Sequence, residues 1–149
     1  MENRATPPTQ AKLMFWIIWA ALAFSIIIYF VVLKTVATGS EEVLEKPDQS
    51  IVLVLAGVGL LSIAVSLGIR ILLVNPRIGK LAPGEIMKVF PHCIISWALA
   101  EAVGIYGLVL GFMGHPIGSY GLFFVTSFCT MLFLAPTFAR LVRVLPDAE

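Results

Sequence analysis

Four runs of about 20 apolar residues dominate the sequence and restrict the folds open to it. The runs span residues 13–33, 51–74, 93–113 and 117–139. Hydrophobic residues make up 59% of the chain and charged residues only 13%, which is atypical of soluble domains. Because a bilayer offers no partners for backbone amides, the runs are predicted to be helices. We therefore expect an all-α fold, in which residues 1–149 form one integral membrane domain of four transmembrane helices.

The charged residues divide by sign between the connections. Basic residues flank the first run, the loop at 75–92 and the end of the fourth run; they are Arg4, Lys12, Arg70, Arg77, Lys80, Lys88, Arg140 and Arg143. The first loop instead carries Glu41, Glu42, Glu45 and Asp48. The positive-inside rule then predicts that both termini and the loop at 75–92 are cytoplasmic, as in a multi-pass protein of a bacterial inner membrane. The basic groups are thus interpreted as topological signals, and no nucleic-acid partner is expected.

Small residues recur every three or four positions in the second and third runs, which places them on one face of each helix. In the second run they include Ala56, Gly59, Ser62 and Ser66, and in the third run they are Ala100, Gly104, Gly107 and Gly111. Small side chains let helices approach closely in lipid. This pattern fits tight packing within one bundle, and it also fits assembly of a homo-oligomer.

One acidic residue, Glu101, interrupts the third run in the segment "SWALAEAVGIYGLVLGF". At 1.5 Å per residue it lies roughly 15 Å from the cytoplasmic edge, near the bilayer centre. A charge there costs on the order of 3 kcal/mol, so the carboxyl is predicted to be protonated or paired. An antiparallel hairpin would place the hydroxyls of Ser62 and Ser66 within reach of it. Arg70 would lie about two turns closer to the cytoplasm.

The segment "ALAEAVGIYGLV" resembles the ion-binding helix of the c subunit, or proteolipid, of F-type ATP synthases. The matching residues are Ala98, Ala100, Glu101, Ala102, Ile105, Tyr106, Gly107, Leu108 and Val109. That family also has Asn-Pro in the cytoplasmic loop between its two helices, and Asn75 and Pro76 fit this feature. The resemblance covers the second and third runs, so that the first and fourth runs are additional helices.

The resemblance implies an antiparallel hairpin at the centre of the fold and a homo-oligomer, such as a ring, that translocates ions. Glu101 would bind and release the ion, and Tyr106 would help to close the site. Sodium-binding members of the family typically have a glutamine on the inner helix and a hydroxyl residue just after the glutamate. The second run has no glutamine, and Ala102 and Val103 follow Glu101, so a proton is expected.

Two alternatives remain open at this point. In the first, the chain is a non-catalytic subunit of a membrane complex, and Glu101 only specifies helix packing, either neutral or paired with Arg70. In the second, it is a small proton-coupled multidrug exporter, but those proteins carry their buried acid on the first helix, and the first run has none.

No pattern indicates an enzyme, a metal site or a cofactor. His92 and His115 are predicted at opposite membrane faces, each near a turn and facing solvent. Cys93 and Cys129 lack the paired spacing of a redox or metal motif. The expected partners are the lipid bilayer, further copies of the chain and other membrane subunits.

Overall fold

The structure, a computed structural model, describes residues 8–37, 48–77 and 87–136. It contains four α-helices, which are α1 (Pro8–Ala37), α2 (Gln49–Ile69), α3 (Phe90–Phe112) and α4 (Ile117–Phe133). A π-helical turn, Arg70–Val74, and a 3-10 turn, Asn75–Arg77, continue α2. These residues contain no strand, so the predicted all-α fold is confirmed for them. Most of the predicted loop at 75–92, residues 78–86, lies outside the described residues.

Three helices are long and apolar enough to cross a membrane: Leu13–Val36, Gln49–Arg77 and Phe90–Phe112. This finding indicates a membrane protein. The fourth helix has 17 residues, about 25 Å at 1.5 Å per residue, against about 30 Å of hydrocarbon. It ends at Phe133 although the apolar run continues to residue 139, and residues 137–139 are not described. Hydropathy does not detect the effect of Pro136, which cannot donate a helical hydrogen bond and disfavours the α conformation before it.

Helix α3 is the central element and packs against each of the other three helices. It runs parallel to α1, since Phe15 and Trp97 meet near the start of both helices, with ring centroids 6.0 Å apart, and Leu33 meets Gly111 near their ends. The chain therefore runs up and down alternately. The start of α1, the residues flanking the loop at 75–92 and the end of α4 lie at the same end of the bundle.

Two serines join α2 to α3 in an antiparallel arrangement. Ser66 Oγ donates to the Ser96 carbonyl oxygen at 2.8 Å, and Ser96 Oγ donates to the Ser66 carbonyl oxygen at 2.9 Å. Both residues are buried. A third serine, Ser127 of α4, donates to the Ala100 carbonyl oxygen at 2.7 Å. Hydrogen bonds of this kind replace the hydrophobic drive that is missing between helices in lipid.

The predicted stripe of small residues packs inside the chain. Its members Gly59, Ala100, Gly104, Gly107 and Gly111 are all buried. A Cβ at Gly107 would lie 2.9 Å from both the Phe123 Cβ and the Tyr120 carbonyl oxygen of α4. A Cβ at Gly111 would overlap the end of the Leu33 side chain of α1. The absence of a side chain on α3 is therefore what lets α1 and α4 approach so closely.

The carboxyl end of α4 is held by one side chain from each of the other helices. The bonds run from Trp19 Nε1 to Met131 O (2.9 Å), from Trp97 Nε1 to Leu134 O (3.0 Å) and from Arg70 Nη2 to Ala135 O (3.4 Å). The last carbonyls of any helix lack intrahelical partners, and an unsatisfied carbonyl is costly in lipid. These three donors explain how α4 can end inside the bundle.

Helix α1 is more embedded than its aromatic sequence suggested. Bulky aromatic side chains on a span are typical of a surface that faces lipid, and Trp16 and Phe24 are indeed exposed. One side of the helix, with Phe15, Ile26 and Leu33, is buried against α3 and α4. This side brings α1 into the site described next.

Candidate functional site: an intramembrane carboxyl

Glu101 is the middle residue of the span Phe90–Phe112, and its carboxyl contacts α1. The hydroxyl oxygen of Ser25 lies 2.5 Å from Glu101 Oε1, and the hydroxyl of Tyr29 donates to the same oxygen at 2.9 Å. Ser25 and Tyr29 are one helical turn apart, so both project from one face of α1. Since α1 and α3 are parallel and their midpoints coincide, these three polar groups meet near the centre of both spans.

The hydrogen bonds of Ser25 bear on the protonation state of the carboxyl. Ser25 Oγ also lies 2.7 Å from the Leu22 carbonyl oxygen, and a serine hydroxyl has only one proton to donate. With a charged Glu101, one of the two Ser25 contacts would bring oxygen atoms together without a proton between them. With a proton on Oε1, Glu101 donates to Ser25, Ser25 donates to Leu22, and Tyr29 donates to Oε1. The protonated acid therefore satisfies all three short contacts.

One form of the structural alternative requires an ion pair between Glu101 and Arg70, and the structure shows no ion pair between these two residues. The described contacts of the carboxyl are those with Ser25 and Tyr29. Arg70 instead donates to the Ala135 carbonyl oxygen, near the end of the bundle. The separation of about two turns along the hairpin explains why the two side chains do not meet.

Three residues expected near Glu101 lie elsewhere. Ser62 donates to the Val58 carbonyl oxygen of its own helix, and Ser66 is bonded to Ser96. Tyr106 lies against Gly59 of α2. Ser66 pairs with Ser96, five residues before Glu101, and the rotation of α3 also differs from the expectation. Residues 96, 103 and 106 of α3 face α2, whereas Glu101 projects toward α1, roughly a third of a turn or more away at 100° per residue.

The donors on α1 were missed, although the sequence contains a signal for them. Ser25 and Tyr29 stand four residues apart in the middle of an otherwise apolar run, which places two hydroxyls on one helix face. Tyrosine is typical of membrane interfaces, which makes a mid-span role for Tyr29 easy to overlook. An intramembrane acid needs donors, and a search of the remaining helices for paired hydroxyls would have found this one.

Glu101 also borders the part of α3 that none of the described helices covers. The exposed side chains there are Ile95, Ala98, Ile105, Val109 and Phe112, which we call the outward face of α3. Glu101 follows Ala98 by three residues and precedes Ile105 by four, so it lies at the edge of this face. Its second oxygen, Oε2, has no hydrogen-bond partner among the described residues and is not sealed inside the protein. The carboxyl thus has one oxygen held by α1 and one that the described residues leave without a partner and not fully buried.

The histidines and cysteines form no second site. His115 is buried rather than solvent-facing, and its Nε2 has no partner in the described part of the chain. Hydrogen bonds from Ser50 lower the pKa of Asp48, which lies just before α2. Cys93 is buried and Cys129 is exposed. Within residues 8–37, 48–77 and 87–136, no group of three potential metal ligands occurs.

Comparisons of the chain with protein-family models, with curated proteins and with solved structures find no match. The function must therefore be argued from the chemistry of Glu101 and its surroundings.

Proposed function

We propose that this chain is a multi-pass membrane protein in which Glu101 takes up and releases a proton as part of ion translocation. The observation that carries the proposal is the set of contacts of Ser25 and Tyr29: the contacts of Ser25 with Leu22 and Glu101 and of Tyr29 with Glu101 are all satisfied together when Oε1 holds a proton. Intramembrane acids that face other helices typically mark ion or substrate pathways. Here the acid has hydroxyl donors and no described cationic partner, which is the environment of a group that can change its charge.

The proposal includes a resemblance to the c subunit, and this resemblance is limited to α2 and α3. The antiparallel pairing of these helices and the position of Glu101 at mid-span support it. A ring of such hairpins would use the small-residue face of α3 between copies, yet Gly107 and Gly111 are covered by α4 and α1 of the same chain. A homo-oligomer would therefore assemble through other surfaces, such as the exposed side of α2 with Leu53 and Leu60.

The membrane topology is also part of the proposal. We propose four membrane-embedded helices with both termini and the loop at 75–92 in the cytoplasm of a bacterial cell. The up-and-down order of the helices supports this arrangement, because it brings Arg77 and Lys88 to the same end of the bundle as the start of α1. The shorter α4 fits if its carboxyl end stops below the membrane surface, where Trp19, Trp97 and Arg70 satisfy its carbonyls.

A structural subunit of a membrane complex is the second candidate. The observation that favours it is that Glu101 joins α1 to α3 through two hydrogen bonds, a role that a permanently protonated acid can fill. The two candidates differ in one respect. Ion translocation requires that the proton leaves Glu101, whereas packing requires that it stays.

Carbodiimide labelling of the full chain in native membranes tests the proposal, because the reagent modifies protonated carboxyls in apolar surroundings. Mass spectrometry would measure modification at Glu101 between acid and alkaline pH, with and without sodium. We expect labelling that fades as the pH rises and is unaffected by sodium. Asp48→Asn is the matched control: it removes the other described acid but keeps an N-cap side chain for α2.

The outcome that contradicts the proposal is labelling that stays constant, or stays absent, over the whole range. Either result would mean that the proton of Glu101 does not exchange, and the structural role would then be preferred. Protection by sodium would replace the proton by a sodium ion. Reconstituted Glu101→Gln should lose ion-driven activity and keep its helical content, which separates lost function from lost folding.

A further inference from the structure

We propose that the outward face of α3 binds a lipophilic organic cation, which takes the place of the proton on Glu101. This inference rests on the proposed function, because it needs a carboxyl that loses its proton inside the membrane. It goes further by naming the class of ligand and the surface that holds it.

The ligand would meet Oε2 of Glu101. Oε1 already has two neighbours on α1, Ser25 and Tyr29, which can both donate to a carboxylate if Ser25 turns away from Leu22. Oε2 is left for a group from outside the chain. A bare negative charge at this depth costs about 3 kcal/mol even on a lenient insertion scale. A cation placed against Oε2 would offset this cost, and the two hydroxyls would stabilise the other oxygen.

No described side chain supplies this cation. Among the described titratable groups, only Tyr29 contacts the Glu101 carboxyl. The others on the packed helices have different neighbours: Lys34 lies over the Phe30 ring, Arg70 bonds the Ala135 carbonyl oxygen, Tyr106 lies against Gly59, and Tyr120 lies against Phe124. The countercharge for a deprotonated Glu101 would therefore come from a ligand.

The walls of the site favour an organic cation over a metal ion. A hard ion such as Ca²⁺ takes about six to eight oxygen ligands, whereas this site offers one carboxyl and two hydroxyls. The outward face is otherwise aliphatic, with Phe112 at one end. Tyr29 borders it on the α1 side and Tyr106 on the α2 side, and aromatic rings attract organic cations through their faces. A cation with apolar substituents could also enter from the hydrocarbon without a water path.

Tetraphenylphosphonium is a suitable probe, and the test uses the full chain in detergent micelles. Isothermal titration calorimetry in buffers of different ionisation heat gives both the affinity and the number of protons released. We expect one proton released for each cation bound, and an affinity that rises about tenfold per pH unit while the free carboxyl is protonated, as required by linkage between exchanging ligands. Glu101→Gln should abolish binding, and Asp48→Asn should not change it.

A second pair of variants tests the surface independently of the acid. Ile105→Trp fills the outward face next to Glu101 and should weaken binding at least tenfold. Leu132→Trp adds the same side chain at an exposed position of α4, which packs on the other side of α3, and should leave binding unchanged.

The results separate this inference from the proposed function. If Glu101 is labelled in a pH-dependent way but the wild type does not bind the probe, the cation site is ruled out and proton exchange stands. Binding that persists in Glu101→Gln, or that releases no proton, also overturns the site. Cross-linking of Ile105→Cys chains to each other, without probe binding, would assign the outward face to a second copy instead. If no labelling is seen at any pH, both proposals fall.

Discussion

Gly107→Ala tests whether the small-residue stripe of α3 packs within one chain. Its new Cβ would lie 2.9 Å from the Phe123 Cβ, 2.9 Å from the Tyr120 carbonyl oxygen and 3.3 Å from a ring carbon of Phe124. Carbon atoms pack best at about 3.5–4.0 Å, so α4 would have to move outward by roughly half an ångström. The two nearest atoms are fixed to the α4 backbone and cannot rotate away.

The expected cost follows from these distances. Overpacking costs about 1–3 kcal/mol, and the rigid neighbours put this site in the upper half of that range. Replacing Gly by Ala within a helix returns up to about 1 kcal/mol. We therefore expect Gly107→Ala to lower the free energy of unfolding by about 1–2 kcal/mol.

Gly57→Ala is the matched control, because no atom lies within 4 Å of a Cβ built at that position of α2. It should leave stability unchanged or raise it by up to about 1 kcal/mol. Unfolding of both variants in mixed detergent micelles, followed by circular dichroism, measures the difference, and cross-linking measures the oligomeric state. Equal stabilities would refute the α3–α4 contact described here. A Gly107→Ala protein that stays folded but loses its oligomeric state would show that the stripe packs between copies.

Three further predictions concern other contacts of the bundle. Gly111→Ala should destabilise the protein because the new Cβ would overlap the fully buried Leu33 side chain. Adding Leu33→Ala to the same chain should remove part of that penalty, and a double-mutant cycle measures the coupling energy between the two positions. Tyr29→Phe removes a hydrogen bond to Oε1 of Glu101 and should shift the infrared band of the protonated carboxyl, whereas Tyr106→Phe should not. A shift in the second variant alone would favour the c-subunit site. Asp48 has a pKa below its ordinary value of 3.8, chiefly because of a side-chain hydrogen bond from Ser50. Its stabilisation of α2 should therefore be present above about pH 4 and lost as the pH falls through the lowered pKa. Helicity that is equally acid-sensitive in Asp48→Asn would contradict this prediction.

The sequence was sufficient to predict the helices and the acid, but not the partners of the acid. Hydropathy located the helices because lipid imposes one requirement on every residue of a span. Glu101 stood out because it is an acidic residue within a span whose other side chains are uncharged. Ser62 and Ser66 were assigned to it by depth alone, and depth does not fix the rotation of a helix about its axis. That rotation is set by which glycines meet which neighbours, and Gly111 against Leu33 is a contact that no periodicity in one sequence identifies.

The same lack of rotational information explains the expectation that α1 would lie outside the site. A helix rich in large side chains can still bury one side if its neighbour offers glycines to receive them, and α3 does so. The hydroxyls of Ser25 and Tyr29 are then carried inward with the buried side. Burial of α1 and recognition of the carboxyl are therefore two results of one packing arrangement.

The contacts of α3 with its three neighbours differ in how they depend on protonation. Reciprocal serine bonds hold α2, and Gly107 with the Ser127 hydroxyl holds α4; none of these groups titrates near neutral pH. The contact with α1 instead includes Glu101, and loss of its proton forces Ser25 to exchange Leu22 for the carboxylate as its acceptor. If the proposed function holds, release of the proton would therefore change the α1–α3 contact and leave the other two intact.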